Sequence, residues 1–260
     1  MYKNVQTSSA SKHYSLVSSS SHRLLSSITT VTATLKPLQK PLQKPLPTTN
    51  IPTYLITGTR RSIGNELVRQ LARDPSNTIL ATVRSSISDN SSLTTIKSTY
   101  PGTVHVLEYD TSSPDSIAAL PSLLTPSTTI DILICSAAIL TDGNNNSLII
   151  TSALLQSHIQ TNVMCPALLL SNLLPHLSPT ARVVNIISGL GSLTLVGNGS
   201  ISPNATTYSI SKTALNMLTV HQAQQVPKGM VVICMDPGHT KTERGGLRQC
   251  WRSQRVRVGF

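Results

Sequence analysis

The sequence predicts an α/β fold in which helices cover both faces of a parallel sheet. Six short runs rich in aliphatic and β-branched residues alternate with longer segments of helical periodicity. Near-continuous apolar strands separated by helices are typical of a doubly wound sheet. The first run ends in a glycine-containing turn that opens a helix, the arrangement found in dinucleotide-binding sheets. We therefore expect a single domain of the Rossmann type.

The elements are predicted from the apolar pattern, taken in chain order. Each strand is a short run such as TYLIT or ARVVNIIS, and the first helix carries an apolar stripe at Ile63, Leu67 and Leu71. The predicted strands are 53–57, 78–83, 103–110, 130–137, 181–188 and 230–236. The predicted helices are 64–73, 114–124, 152–174 and 206–225.

The segment TGTRRSIG, residues 57–64, joins the first strand to the first helix. Glycine after a strand permits a tight turn, and a second glycine lets helix and strand approach closely. The helix N-terminus then presents N–H groups to a pyrophosphate. An ordinary turn before a helix is the alternative, but the position after the first strand of an alternating pattern favours the nucleotide.

The net charge of +11 belongs to the two ends of the chain. Residues 1–50 contain six Lys or Arg and no acid, and residues 241–260 contain six Lys or Arg and one Glu. The remaining 190 residues contain nine basic and nine acidic groups. A nucleic-acid-binding domain would carry its charge on the folded part, so nucleic acid is not expected as a partner.

Three regions are predicted: a disordered basic extension at 1–50, a folded domain at 51–246 and a basic irregular tail at 247–260. The extension is rich in Ser and Thr, and its repeat KPLQKPLQKPLP interrupts helices and sheets with proline. We expect a cytoplasmic protein. A mitochondrial location is the alternative, because the N-terminus is basic, Ser-rich and free of acids.

Membrane and metal partners are not expected. No apolar run approaches the roughly 20 residues that a membrane span requires. The cysteines at 135, 165, 234 and 250 show neither CxxC nor metal-binding spacing. Three of them lie in apolar runs, which favours buried thiols in a reducing compartment.

Further motifs follow in the order known from one family. TGTRRSIG resembles the motif TGxxxGxG, with Ser62 in place of the middle glycine. CSAA (135–138) stands where the family has NNAG, and PGHTKT (237–242) follows the last predicted strand. Over about residues 53–246 the chain resembles the short-chain dehydrogenase/reductases. The resemblance implies hydride transfer between a nicotinamide and a carbonyl or alcohol. Two departures concern the site: Ser62 restricts the backbone, and Cys135 cannot make the hydrogen bonds of an amide.

The resemblance also implies the catalytic residues. Tyr208, in YSISK, is the expected proton donor, and Lys212 its electrostatic partner and the anchor of a ribose hydroxyl. Ser188 is expected to hydrogen-bond the substrate oxygen, and Asn162 to help hold a proton-relay water. A free phenol has a pKa near 10, so we expect the ammonium of Lys212 to lower the pKa of Tyr208.

The predicted cofactor is NADP(H). NAD-preferring sheets place an acid at the end of the second strand, whereas ATVRSS places Arg84 there. Arg60 and Arg61 add positive charge in the phosphate turn, and a guanidinium suits a 2′-phosphate. By resemblance, Asp110 contacts the adenine and Thr242 the carboxamide. The predicted cofactor-binding residues are Gly58, Arg60, Arg61, Ser62, Ile63, Gly64, Arg84, Asp110, Thr111, Ala137, Tyr208, Lys212, Pro237, Gly238, Thr240 and Thr242.

Within the family, the motifs look closest to the C-factor-like and norsolorinic-acid-ketoreductase-like branch. This implies an NADPH-dependent carbonyl reductase whose partner is a small-molecule carbonyl substrate, such as a small or aromatic ketone. The alternative is a dinucleotide-binding protein with little or no turnover, which CSAA, Ser62 and the C-terminus favour. The sequence leaves open whether the chain forms a homo-oligomer.

The resemblance ends at Gly246, before LRQCWRSQRVRVGF. Residues 248–257 contain four arginines and no clear apolar stripe. We therefore expect the domain to lack the family's last helix and strand. An uncovered strand edge favours aggregation, so we expect poor solubility and weak or absent activity.

Overall fold

The computed structural model describes residues 51–85, 90–141, 146–202 and 204–238. The extension at 1–50 and the tail at 247–260, together with the predicted site residues Thr240 and Thr242, lie outside the described residues. The predictions for those segments stay predictions.

Six parallel strands form one sheet in the order β3-β2-β1-β4-β5-β6 within the described residues. The strands are β1 (Thr53–Ile56), β2 (Thr78–Val83), β3 (Thr103–Glu108), β4 (Ile130–Cys135), β5 (Leu177–Ile186) and β6 (Val231–Met235). The strand order changes direction between β1 and β4. Ligands of doubly wound sheets bind outside the carboxyl ends of the strands at this switch point. The predicted fold class is confirmed.

Helices connect the strands. They are α1 (Ser62–Leu71), α2 (Ser91–Thr99), α3 (Pro114–Ala119), α4 (Ser152–Ile159), α5 (Cys165–Leu173), α6 (Leu193–Gly197) and α7 (Thr206–Gln225). A π-helical turn, Gln160–Met164, joins α4 to α5, and a 3₁₀ turn, Gly189–Gly191, follows β5. In the described ranges, no helix combines the length and the hydropathy needed to cross a membrane.

The apolar core lies on both faces of the sheet. Successive strand residues point to opposite faces, so Leu55 and Leu133 join one buried cluster while Ile56 joins the other. Leu169 of α5 packs in the first cluster and Leu67 of α1 in the second. The carboxyl ends of the central strands are therefore held by packing on both sides.

The structure corrects three element predictions. Helix α2 was not predicted, because six of its nine residues are Ser or Thr, which favour turns and caps; its two apolar residues, Leu93 and Ile96, are nevertheless buried. The helix predicted over 152–174 is interrupted by the π-helical turn. The segment LTLVGNGSISPNAT (193–206) is rich in Gly, Pro and Asn, which favours a loop, but its first five residues form α6.

Candidate active site

A cavity of about 680 Å³ opens at the carboxyl ends of the strands. Its wall is formed by the turn after β1, the ends of β2, β4, β5 and β6, and the start of α7. The predicted site residues that line it are Gly58, Arg60, Arg61, Ser62, Ile63, Gly64, Arg84, Thr111, Ala137, Ser188, Tyr208, Lys212, Pro237 and Gly238. Asp110 and Asn162 are not among the lining residues.

The turn after β1 requires its two glycines. Gly58 has a φ of +71°, and a Cβ built on it would lie 2.8 Å from the Cα of Ala137. A Cβ on Gly64 would collide with the carbonyl oxygen of Gly58. The turn therefore closes tightly on the end of β4, and the start of α1 comes close to the strand ends.

Ser62 adopts the conformation expected of the glycine that it replaces. Its φ is +54°, a left-handed value that strains residues with a Cβ. The residue is exposed and is the first residue of α1. The chain therefore keeps the shape of the turn, and the strain lies at the helix N-terminus.

Thr57 supports the end of β4, where CSAA replaces the family's NNAG. Its buried Oγ1 accepts hydrogen bonds from the backbone N–H groups of Ser136 and Ala137, both at 3.0 Å. Cys135 is 4% exposed and belongs to one apolar cluster. The side-chain hydrogen bonds at this strand end therefore come from the residue that follows β1, and Cys135 serves as a packing residue.

Three arginines lie at one end of the cavity, which we call the arginine end: Arg60, Arg61 and Arg84. The Arg84 side chain is 67% exposed, and its Nε lies 3.7 Å from Oδ1 of Asp110. Burial would raise the pKa of Asp110, but hydrogen bonds from Ser112 and the charge of Arg84 outweigh it and lower that pKa. Asp110 thus stays ionised behind the cavity wall.

Tyr208 and Lys212 lie one turn apart near the start of α7 and line the opposite end of the cavity. We call this the reaction end. Lys212 is 2% exposed, and its Nζ donates a 2.6 Å hydrogen bond to the carbonyl oxygen of Ile186. The same Nζ lies 5.6 Å from the centroid of the Tyr208 ring. The predicted pair therefore shares one site.

Ser188 follows β5 and lies beside this pair. Its Oγ accepts a hydrogen bond from the N–H of Leu190 at 3.2 Å, and its side chain also hydrogen-bonds Tyr208. The 3₁₀ turn after it packs closely on α7, since a Cβ on Gly191 would lie 2.9 Å from the backbone of Lys212. This close contact brings Ser188 and Tyr208 together.

The predicted lowering of the Tyr208 pKa is not found. Burial raises the pKa of Tyr208, the negative charge of Asp236 raises it further, and the hydrogen bond with Ser188 acts in the opposite direction. Burial also lowers the pKa of Lys212 to about 8, so the ammonium is itself only partly charged at mildly alkaline pH. Desolvation outweighs the attraction between the two side chains.

Asn162 lies in the π-helical turn and is completely buried. Its Oδ1 accepts from the N–H of Ile139 at 2.9 Å, and its Nδ2 donates to the carbonyl of Ile139 and to Ser211, both at 3.0 Å. The amide therefore fixes the segment after β4, which lines the cavity, to α7. In this structure the Asn162 side chain holds this part of the cavity wall in place, and it is not exposed to the cavity itself.

The comparisons with known proteins decide the family. The family model described as short chain dehydrogenase matches residues 52–252, a range that includes each described strand and the described residues that line the cavity. The chain belongs to this family. The match extends beyond Gly246, where the resemblance of the motifs ends.

Two of the similar short-chain dehydrogenases come from Aspergillus species. Norsolorinic acid ketoreductase of Aspergillus parasiticus is 27% identical over 209 residues, covering 77% of this chain and 76% of that protein. A short-chain dehydrogenase/reductase of Aspergillus aculeatus is 30% identical over 200 residues, covering 72% and 74%. These relatives support the predicted norsolorinic-acid-ketoreductase-like branch.

Solved short-chain dehydrogenases share the fold. The NADPH-bound carbonyl reductase from chicken fatty liver has a TM-score of 0.67 at 26% identity, covering 78% of this chain and 85% of that chain. A short-chain dehydrogenase/reductase of Burkholderia multivorans with bound NADP has a TM-score of 0.67 at 22% identity, covering 76% and 83%. With the family match, the carbonyl reductase supports NAD(P)-dependent oxidoreductase activity for this chain; the bacterial protein shows the fold alone.

Three residues at the site were not predicted: Thr57, His158 and Asp236. His158 is completely buried on α4; its Nδ1 lies 2.9 Å from the Leu154 carbonyl oxygen, and its ring stands edge-on to Tyr208 at 6.4 Å. Thr57 is the first residue of the glycine turn, and Asp236 directly precedes the PG motif. Both residues could have been predicted from their positions next to these motifs. For His158 the sequence carries no comparable signal.

Proposed function

We propose that this short-chain dehydrogenase reduces carbonyl compounds with NADPH and that Tyr208 donates the proton. The observation that carries the proposal is the single cavity that joins three arginines at one end to Ser188, Tyr208 and Lys212 at the other. Such a cavity suits a long anionic cofactor whose reactive ring lies beside an acid.

The residues present fit the cofactor. Gly58 and Gly64 leave space for the cofactor that a Cβ would fill, and the N-terminus of α1 lies beside this space. Arg84 at the arginine end suits a 2′-phosphate, because a guanidinium forms paired hydrogen bonds with phosphate oxygens. Within the described residues Lys212 makes one hydrogen bond, so its remaining N–H groups suit ribose hydroxyls. When bound, the nicotinamide supplies hydride to the carbonyl carbon.

The side chains of the reaction end handle the proton. The phenol of Tyr208 is protonated at neutral pH and lines the cavity, so it carries a proton that it can donate to the carbonyl oxygen. The hydroxyl of Ser188 donates a hydrogen bond to the same oxygen. The phenolate that remains is stabilised by the positive charge of Lys212.

The reaction end favours an apolar substrate. Beside the catalytic side chains, the described wall is lined by Leu140, Leu190, Leu195 and Ile201. Leu195 is carried by α6, in the stretch between Ser188 and Tyr208. Aliphatic walls of this kind suit a small or aromatic ketone with few polar groups.

A second candidate is a protein that binds the dinucleotide but turns over little substrate. The strained φ of +54° at Ser62 favours it, because this residue lies where the phosphates would be held. Measurable NADPH binding without reduction of any ketone or quinone in a broad panel would support this second candidate.

Replacement of Tyr208 tests the proposed reaction. Tyr208→Phe removes the transferable proton while keeping the ring, so we expect the NADPH-dependent reduction rate to fall by about 10³-fold. Calorimetry should find NADPH affinity within about twofold of the wild type, since the phenol contributes little to phosphate and ribose binding. Tyr100→Phe is the matched control, because Tyr100 lies outside the cavity. A Tyr208→Phe variant that retains most of the activity would show the assignment to be wrong.

A further inference from the structure

The reaction end contains an acidic residue that the proposed reaction does not use. Asp236 directly follows β6, and among the described residues that line the cavity it is the one acid. Its Oδ1 accepts a hydrogen bond from the N–H of Gly238 at 3.0 Å. Its Oδ2 lies 3.4 Å from the position that a Cβ on Gly189 would occupy. The carboxylate is therefore fixed next to the residue that follows Ser188.

No ion pair of Asp236 is found within the part of the chain that the structure describes. The neighbouring wall is formed by Leu190, Leu195 and Ile201, which carry no charge. A carboxylate that has no ion pair among the described residues, and that lies beside an apolar wall, creates a negative potential in the space that a substrate enters.

We propose that Asp236 determines specificity: its carboxylate, fixed beside Gly189 at the reaction end, excludes carbonyl compounds that carry a carboxylate and admits uncharged ones. This assignment rests on the proposed carbonyl reduction. At the reaction end this carboxylate opposes the attraction that Lys212 and the three arginines exert on an anion.

The positive charge of the arginines explains why exclusion of carboxylates by Asp236 would be useful. Arg60, Arg61 and Arg84 attract any anion toward the cavity, including small carboxylates that differ from the cofactor. Asp236 counters this attraction where the substrate binds. Because the residue is exposed, solvent screens its charge, and we expect discrimination of about three- to tenfold.

Asp236 also acts on Tyr208. The groups that face Tyr208 are His158 from α4, Ser188 after β5, Lys212 from its own helix and Asp236 after β6. Burial is the main cause of the raised pKa of Tyr208, and the negative charge of Asp236 adds to it in the same direction. Removing that charge should lower the pKa of Tyr208, so alcohol oxidation, which needs the phenolate, should begin at lower pH in the variant.

The test compares an acid with its neutral ester in the full-length protein. The substrates are 4-acetylbenzoate and methyl 4-acetylbenzoate, each reduced with NADPH. We expect the wild type to prefer the ester in kcat/KM, and Asp236→Asn to reduce that preference by about three- to tenfold. Asp115→Asn removes the same charge outside the cavity and should change neither the preference nor the pH profile of oxidation.

A binding measurement distinguishes a failure of the Asp236 assignment from a failure of the proposed function. Calorimetry measures the binding of both compounds to Tyr208→Phe saturated with NADPH. The measurement is repeated with the double variant that also carries Asp236→Asn. If that variant does not fold, Asp236→Ser replaces Asp236→Asn, because serine keeps a hydrogen-bond acceptor for the N–H of Gly238. Ester-selective binding that depends on Asp236, without turnover in the wild type, supports this assignment and contradicts the proposed function. Turnover with an unchanged preference overturns the assignment alone. Failure of both compounds to bind contradicts both.

Discussion

The two ends of the cavity carry positive charge in opposite environments. At the arginine end the side chain of Arg84 is 67% exposed, whereas at the reaction end Lys212 is 2% exposed. Exposure leaves the guanidinium of Arg84 accessible to a phosphate, whereas burial lowers the pKa of Lys212 to about 8. Both residues are cations, so it is burial that distinguishes Arg84, which would bind a phosphate, from Lys212, which would assist proton transfer.

The largest expected effect on cofactor binding concerns the arginine end. Arg84→Ala should weaken NADPH binding by about ten- to one-hundredfold, because charge-assisted hydrogen bonds to a phosphate contribute about 1.5–3 kcal/mol. NADH binding should change little, so the preference for NADPH should be lost. Calorimetry with both cofactors measures this directly.

Arg73→Ala is the matched control for that experiment, since Arg73 stacks on Tyr100 outside the cavity. Saturating NADPH should restore the turnover number of Arg84→Ala, because the reaction end is unchanged. A lower turnover number at saturation would show that the two ends do not act separately.

A smaller effect is expected in stability at the reaction end. Lys212→Met removes a buried ammonium and should stabilise the folded protein by about 1–3 kcal/mol at neutral pH while abolishing reduction. The folded-state pKa of about 8 lies below the unfolded value of 10.5, so the unfolded chain binds more protons between these pH values. Wild-type stability should therefore rise with pH through this window, and the advantage of the variant should shrink.

Urea unfolding at several pH values measures that difference. Lys97→Met on α2 serves as the control, because Lys97 is exposed and should show no such pH dependence. A constant difference between Lys212→Met and the wild type from neutral to strongly alkaline pH would contradict the depressed pKa.

The smallest expected effect lies at the turn after β1. Ser62→Gly relieves the left-handed strain but increases the freedom of the unfolded chain, so we expect a net gain of about 0.5–1 kcal/mol. NADPH affinity should be equal or higher if the strain hinders phosphate binding. Thermal unfolding and calorimetry together decide this, and a loss of stability would show that the Ser62 side chain makes a favourable contact.

Features governed by short-range sequence were predictable. The residues of β2 were predicted correctly, because an apolar run bounded by polar residues defines a buried strand. The order of the motifs also placed Ser188, Tyr208 and Lys212 at one cavity, since parallel strands end on the same edge of a sheet.

Features that depend on tertiary surroundings were not predictable. The pKa of Tyr208 depends on burial and on Asp236, which lies 28 residues further along the chain. The buried hydrogen bonds of Asn162 depend on a π-helical turn that periodicity does not reveal. Helix α2 is stabilised by two buried side chains against the preference of its Ser and Thr residues.

The π-helical turn makes the wall of the cavity depend on the number of residues between α4 and α5. A π turn accommodates one residue more than an α turn, so it behaves as a single-residue insertion in an otherwise regular helix. Deleting one residue would allow the ordinary α ladder to continue from α4 into α5, and the turn that presents Asn162 would disappear. Asn162 and Ile139 would then lose their register. For this helix, a change in length is a more drastic mutation than most changes in side chain.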